Sequence, residues 1–102
     1  MIKFNQGDII KIDGYDKQLF VIVSKSAFIK ATGLFHVCPL LNAAPGPVHI
    51  TVCGRENTEG TVICEQIKLI DPRSRTCRRI DCLAYDEIMN ISDAIQGIFE
   101  YD

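Results

Sequence analysis

The 102-residue sequence predicts a mainly β protein, a small antiparallel barrel or sandwich that ends in one α-helix. Two observations predict this class. Six or so short apolar segments alternate with turn signals through residues 7–83, and there is no room between them for the long crossovers that parallel strands require. From residue 84 onward the apolar side chains recur every three or four positions, which is the period of a helix.

The N-terminal third predicts two strands and a short helical segment. "GDIIKID" alternates apolar and polar side chains as a half-buried strand does, "GYDKQ" is typical of a turn, and "LFVIVS" reads as an apolar strand. "KSAFIKATG" begins with a serine of the type that caps helices and closes on a glycine. We therefore expect one short helical turn or loop there.

The middle of the chain predicts two more strands around a loop. "LFHVCPLL" is a strand interrupted by Pro39, and because proline has no N–H for the ladder, we expect that end at a sheet edge or a bulge. "NAAPGPV" is dense in proline, glycine and small residues, as loops are. "VHITVC" alternates again and predicts the next strand.

The stretch "GTVICEQIKLID", residues 60–71, predicts the longest and most buried strand region. Its polar centre, Glu65 and Gln66, is unusual among so many β-branched side chains. "DPRS" then predicts a turn and "RTCRRID" a final strand.

The last 19 residues predict an amphipathic helix that packs on the barrel. Asp86 and Glu87 occupy its first turn, where acidic side chains favour the helix dipole. The apolar residues that step by three and four along it are Ile88, Ile91, Ile95, Ile98 and Phe99.

Composition places the chain among folded soluble proteins, since 47% of its residues are hydrophobic and 24% are charged. No apolar run approaches the roughly 20 residues that span a bilayer. The N-terminal "MIKFNQGD" has no apolar secretory core, which predicts a cytoplasmic protein. At this size a partner subunit commonly adds stability, so a homodimer is expected.

Five cysteines, an odd number without CxxC spacing, predict reduced thiols that sit mostly in the core. A zinc site built from scattered cysteines with His36 and His49 is the alternative, although structural zinc sites usually contain closely spaced ligand pairs. Each histidine also lies in an apolar segment, where it either transfers protons or is a satisfied structural imidazole.

Charge is unevenly distributed. The last 19 residues carry five acids and no lysine or arginine, whereas residues 1–83 carry 11 basic and 8 acidic side chains. Four arginines cluster within "RSRTCRR": Arg73, Arg75, Arg78 and Arg79. Such a cluster suits phosphate or carboxylate contacts, but a solvated strand face or partners for the acidic tail would explain it equally.

The order of these segments resembles the MazF/PemK (Kid) family of type II toxin-antitoxin toxins. The resemblance rests on Gly7 with Asp8, on Val21 to Ser24, on Pro39, and on the block "GTVICEQIKLID". That block supplies Gly60, Val62, Glu65, Gln66, Lys68 and Asp71 at the family's places. The similarity extends over roughly residues 5–100.

This resemblance implies an SH3-like barrel with a C-terminal helix, a two-fold homodimer and a cognate antitoxin. It also implies an endoribonuclease that cuts single-stranded RNA without a metal or other cofactor, through attack of the substrate's own 2′-hydroxyl on the adjacent phosphate. Such a site needs a base, an acid and groups that hold the charge developing on the phosphate.

The implied catalytic residues are Glu65, Lys17 and Gln18, and the implied substrate-binding residues are Gln66, Lys68, Asn42, Arg73 and Arg75. Three usual catalytic positions are substituted here. Gln18 replaces the usual arginine, Leu41 stands where a threonine or serine is usual, and Ile63 replaces the arginine of the Kid branch. Lys17, Arg73 or Arg75 would then have to supply the missing positive charge.

Other functions remain open at this point. One is a member of the same fold that binds RNA, DNA or a protein without cutting it. Another is a gyrase-directed poison, because CcdB toxins share the fold. Glu65 itself is either a general base or acid, or a carboxylate that pairs with Lys68 or an arginine.

Overall fold

The computed structural model describes residues 3–102, which form seven strands and two helices. In chain order these are β1 (Asp8–Ile12), β2 (Leu19–Ile22), α1 (Ser26–Thr32), β3 (Phe35–Leu41), β4 (His49–Cys53), β5 (Glu59–Ile63), β6 (Lys68–Ile70), β7 (Cys77–Cys82) and α2 (Tyr85–Ile98). The predicted class, mainly β with a C-terminal helix, is confirmed.

All strand pairs are antiparallel, and the sheet runs in the order β4-β5-β3-β2-β1-β7, with β6 also paired to β3. Among the described residues the end strands β4 and β7 do not pair, so the sheet is not closed. Instead the turn after β4 reaches β7, where the Arg55 N–H donates to the Cys82 carbonyl at 2.9 Å and Asp81 receives two further turn N–H groups.

Pro39 does not lie at a sheet edge, because β3 is a central strand and Pro39 pairs with Phe20 of β2. On its other side β3 changes partner. Residues Phe35 to Val37 pair with β6, whereas Leu40 and Leu41 pair with β5. Pro39 therefore falls at the point where the partner strand changes, and a missing N–H interrupts no pairing there.

The segment 60–71 was expected as one long strand, and that expectation is wrong. It divides into β5 and β6, and a turn at Cys64 and Glu65 separates them. The Gln66 N–H donates to the Ile63 carbonyl at 3.1 Å across this turn. The polar pair Glu65–Gln66 thus lies where the chain leaves the sheet, which explains its position in an apolar stretch.

Helix α1 forms where a helical turn was expected, but serine does not cap it. Its N-cap is Lys25, and no side chain bonds the first turn. The Ser26 hydroxyl instead accepts the Gln6 N–H at 3.3 Å. The predicted glycine end is confirmed, since Gly33 has a φ of 74° and donates its N–H to the Ile29 carbonyl at 2.8 Å.

The core lies on both faces of the sheet. Helix α2 covers one face, where Ile91 packs into the cluster that contains Ile9, Val62 and Leu83. The opposite cluster is built around Phe35, Phe20, Ile10 and Ile22. Neither helix in residues 3–102 has the length and apolar content needed to cross a bilayer.

Candidate functional site

A small cleft of about 210 Å³ opens between the β1–β2 loop and the β5–β6 turn. Pro39 and Phe20 of the paired strands β3 and β2 contribute to its lining, and polar side chains from both connections line it too: Gln18, Gln66 and Lys68, with Tyr15 and Ile67. The cleft therefore brings together three of the residues that the sequence singled out.

Tyr15 is the side chain that connects these polar groups. The Lys68 ammonium donates to the Tyr15 hydroxyl at 3.1 Å and lies 4.7 Å from the centre of its ring. The Arg75 guanidinium carbon lies 5.1 Å from the same ring centre. The hydrogen bond from Lys68, followed by the nearby positive charges, lowers the pKa of Tyr15 below its ordinary value.

A second cavity, of about 380 Å³, begins on the other side of the same loop. Tyr15 lines this cavity as well, together with Lys17 and with Lys11 and Arg78 from β1 and β7. Lys17 adopts a φ of 59°, in the left-handed region that few side chains occupy. Asp13 and Asp16 share this cavity, so its charge is mixed with a small basic excess.

Glu65 lies in the turn directly before Gln66 and interacts with an imidazole. His49 Nε2 is 3.0 Å from both Glu65 carboxylate oxygens. His49 begins β4, and its register partner is Ile63, so the strand pairing places it beside the turn. The two side chains are 34% and 44% exposed, which leaves the pair open to solvent. The hydrogen bond from His49 lowers the pKa of Glu65 below the usual carboxyl range.

Three of the predicted substrate-binding residues are more dispersed. Arg75 does reach the Tyr15 ring and also donates to the Asp13 carbonyl at 3.3 Å. Arg73 is held by Asp71 at 2.9 Å and lines a separate, largely apolar cavity beside α1. Asn42 lines a fourth cavity, beside β5, which shares no lining residue with the Tyr15 cleft.

The arginine cluster divides between structural and accessible roles. Arg79 Nη1 lies 3.4 Å from Asp8, whose carboxylate is buried in β1. Burial raises the pKa of Asp8, against the hydrogen bond from Asn5 and the charge of Arg79. Arg73 pairs with Asp71, so Arg75 and Arg78 are the members that face the Tyr15 loop.

Three positions at which the resemblance implies a substituted catalytic residue are Gln18, Leu41 and Ile63. Gln18 is half-buried and lines the cleft, Ile63 is a core residue at 4% exposure, and Leu41 is partly exposed at the end of β3. Lys68 is the cation that contributes to the same cleft as Gln18.

The cysteines are free thiols, and three of them are buried as expected: Cys38, Cys64 and Cys77. Burial is the main cause that raises the pKa of Cys38 to about 12 and that of Cys64 to about 11, which makes both thiols inert. Cys53 is exposed, contrary to the expectation of core positions. Residues 3–102 contain no group of three or more His, Cys, Asp or Glu side chains that could hold a metal ion.

The two histidines differ in their surroundings. His36 Nδ1 contacts the Ser24 hydroxyl at 2.7 Å, and its ring packs on Phe28, so it is a satisfied structural imidazole. His49 was a candidate in the sequence, but nothing there linked it to Glu65. Tyr15 was missed altogether, since a tyrosine in a turn gives no signal until Lys68 and Arg75 are seen around it.

Comparisons with known proteins agree with this architecture. The family described as "PemK-like, MazF-like toxin of type II toxin-antitoxin system" matches residues 5–99. A MazE–MazF structure from Deinococcus radiodurans is 19% identical, covers 96% of this chain and 97% of its own, and superposes with a TM-score of 0.82.

An endoribonuclease from a mycobacterial species, in complex with its cognate antitoxin, is 16% identical, with coverage of 97% and 99% and a TM-score of 0.78. At these identities the structural likeness establishes the fold. No curated protein sequence matches this chain.

Proposed function

The chain belongs to the PemK-like, MazF-like family of type II toxin-antitoxin toxins, and from that premise we propose that it is an endoribonuclease that cuts single-stranded RNA. Attack by the 2′-hydroxyl on the adjacent phosphate would leave a cyclic phosphate end and would require no metal. The observation that supports the proposal is the Glu65–His49 pair, in which a carboxylate and an imidazole are in contact at the position that the resemblance implies for the acid.

Glu65 is the proposed base. An exposed carboxyl is ionised at neutral pH, and the lowered pKa of Glu65 keeps it so. Its exposure also allows a ribose hydroxyl to reach it. His49 Nε2 lies 3.0 Å from both carboxylate oxygens, so it would hold the carboxylate in one orientation for the incoming proton of the hydroxyl. His49 is thus a positioning residue for Glu65.

The leaving 5′-oxygen needs a different group. The attacking and leaving oxygens stand on opposite sides of the phosphorus. Glu65 and His49 are only 3.0 Å apart, so both would act at the attacking oxygen and neither at the leaving one. Lys68 lies two positions beyond Gln66 and lines the same cleft, so it would stabilise the charge on the phosphate and its ammonium would give a proton to the leaving 5′-oxygen. Lys17 and Arg75 flank Tyr15 and extend this positive charge outward.

Gln18 and Gln66 give the cleft its means of reading bases. Both line it, and an amide offers a donor and an acceptor to a base edge. Bases of a single strand are unpaired and can be turned outward to such groups, whereas those of a duplex cannot.

The proposed partners are a cognate antitoxin and a second copy of the chain. The relatives from Deinococcus and the mycobacterial species are found with MazE or with a cognate antitoxin, which supports the first. A dimer is supported by the large apolar side chains that remain exposed, among them Leu69, Tyr85, Met89 and Phe99. Light scattering behind size-exclusion chromatography would test the dimer, and a monomer at micromolar concentration would contradict it.

A second candidate is a family member that binds nucleic acid without cutting it. The observation in its favour is the loss of cations at Gln18 and Ile63, because one missing donor at a developing charge typically costs about 10²- to 10³-fold in rate. The Glu65–His49 pair favours the endoribonuclease, because a protein that only binds nucleic acid would not need it.

The decisive experiment incubates purified, antitoxin-free protein with mixed single-stranded RNA in excess chelator and analyses the ends. Site-selective cuts with cyclic phosphate termini are expected. Glu65→Gln should lower the rate about 10²- to 10⁴-fold, and His49→Gln should also lower it. Glu59→Gln, an exposed acid on β5, is the matched control and should cut normally. Intact RNA with the wild type would favour the binding module, and unchanged cutting by Glu65→Gln would exclude this mechanism.

A further inference from the structure

We propose that the ring of Tyr15 is a stacking platform for one base of a single-stranded RNA, and that it sets the register of the strand between the two cavities. The inference rests on RNA as the ligand of the proposed function, but it concerns binding and is independent of cleavage. It assigns a role to a residue outside the Glu65–His49 pair.

The ring is held in place before any ligand arrives. It meets Phe20 edge to face, with ring centres 5.2 Å apart and planes at 80°. The Tyr15 N–H donates to the Ile12 carbonyl at 3.1 Å, and the Gln18 N–H donates to the Tyr15 carbonyl at 3.3 Å. A preorganised loop loses little freedom on binding, which favours a stacking role.

Its position suits a strand that crosses the loop. Tyr15 lines both the Gln18–Gln66–Lys68 cleft and the cavity that contains Lys11, Lys17 and Arg78. A base stacked on the ring would therefore have one neighbouring nucleotide directed to the amides of the cleft and the other directed to the basic residues of the second cavity. Aromatic rings beside basic side chains are the arrangement by which proteins hold single strands.

The cations now beside the ring do not block such a base. Lys68 and Arg75 are both exposed, and each lies about 5 Å from the ring centre. A cation–π contact at an exposed site changes an equilibrium about 2- to 5-fold, whereas stacking of a base on an aromatic side chain changes it about 5- to 150-fold. The base should therefore displace the cations from the ring, and the displaced cations would then meet the flanking phosphates.

The purely structural alternative is that Tyr15 only completes the small aromatic and cationic cluster on the loop. That role needs the ring and the hydroxyl but no ligand. It predicts an effect of Tyr15 substitutions on stability and none that depends on the bases of an RNA.

The test measures fluorescence anisotropy with short 2′-O-methyl RNA, which lacks the attacking hydroxyl and so cannot be cut by the proposed route. Tyr15→Ala should weaken binding about 5- to 150-fold, and Tyr15→Phe should stay within about 3-fold of the wild type because the ring is kept. Tyr101→Ala removes a fully exposed tyrosine that follows α2 and is the matched control. Tyr15→Phe should unfold at nearly the same midpoint as the wild type, so it is the folded variant with which Tyr15→Ala is compared.

A second measurement replaces one base at a time by an abasic position along the same oligonucleotide. One position should weaken wild-type binding more than the others, and Tyr15→Ala should abolish that dependence. Equal binding by Tyr15→Ala and the wild type, equal effects of every abasic position, or no binding of the oligonucleotide by the wild type would each overturn the inference. If binding behaves as expected but cleavable RNA stays intact, the platform stands and the nuclease proposal fails. If RNA is cut while Tyr15→Ala binds normally, the reverse holds.

Discussion

Two carboxylates, Asp81 and Glu65, both have lowered pKa values but have opposite surroundings. Asp81 is 5% exposed and accepts the N–H groups of Glu56, Thr58 and Cys82 at 2.9, 3.1 and 2.7 Å. Burial raises its pKa, and the hydrogen bonds from Thr58, Glu56 and Cys82 outweigh burial and lower it to about 2. Glu65 is exposed, and its side-chain partner is His49.

The difference teaches that a low pKa does not identify a catalytic group by itself. Asp81 is surrounded by backbone donors and by Gly54, where an added Cβ would overlap the carboxylate, so no substrate can approach it. Glu65 retains accessible lone pairs beyond the imidazole. We therefore assign Asp81 to joining the open ends of the sheet, and the contrast supports the proposed role of Glu65 as a base.

The largest expected effect is on stability and comes from Asp81→Ala. Three backbone N–H groups that the carboxylate satisfies would lose their acceptor, and an unsatisfied buried donor costs about 1–3 kcal/mol. Unfolding in urea should show a loss of about 3 kcal/mol relative to the wild type. Gly54→Ala keeps the charge but crowds it, and it should also destabilise.

Asp93→Ala, an exposed acid on α2, is the control and should leave the midpoint unchanged. The rate of RNA cleavage per folded molecule should be the same for the Asp81 variant and the wild type. An Asp81→Ala protein of native stability would contradict the role of Asp81 in joining the sheet ends. A folded Asp81→Ala protein without RNA cleavage would contradict the conclusion that Asp81 lies outside the functional site.

A smaller effect follows from pH. Because the folded pKa of Asp81, about 2, lies below the value of 3.8 for a free side chain, its stabilisation is complete above about pH 4 and is lost as pH falls toward 2. The contribution is on the order of 2 kcal/mol. Asp81→Asn should have a lower urea midpoint than the wild type at pH 5. Between pH 5 and 2 its midpoint should fall less than that of the wild type. Parallel curves would contradict the assignment.

Much of the fold could be predicted from local patterns. Alternation in "GDIIKID" and "VHITVC" gives β1 and β4, and the three-and-four spacing after residue 84 gives α2. The predictions that failed concern which strands pair with each other. Pro39 and the break at Glu65 both depend on how β3 exchanges β6 for β5, and a pattern within one segment carries no information on which strand lies beside it.

The site shows the same division. Gln18, Gln66 and Lys68 were singled out from the sequence, and the structure does bring them to one cleft, whereas Arg73 is engaged by Asp71 and Asn42 lies in another cavity. Tyr15 and the His49–Glu65 contact could not be predicted, because residues 53 and 16 positions apart meet only through the folded sheet. Long-range contacts of single side chains leave no periodic signal.

The smallest expected effect distinguishes the two possible partners of Glu65. The sequence predicts Lys68 or an arginine as the partner of Glu65. In the structure Lys68 hydrogen-bonds to Tyr15, and His49 hydrogen-bonds to Glu65. The His49 hydrogen bond is the main cause of the lowered pKa, so its removal in His49→Ala should raise the pKa of Glu65 toward the ordinary 4.5. Lys68→Ala should leave it unchanged, and should instead raise the pKa of Tyr15 toward 10.0. Carbon-detected NMR titration of the Glu65 carboxyl and the Tyr15 ring measures both values in the same samples. If the pKa of Glu65 changed in Lys68→Ala and not in His49→Ala, Lys68 rather than His49 would be its partner. The proposed role of Glu65 as the base would then fail.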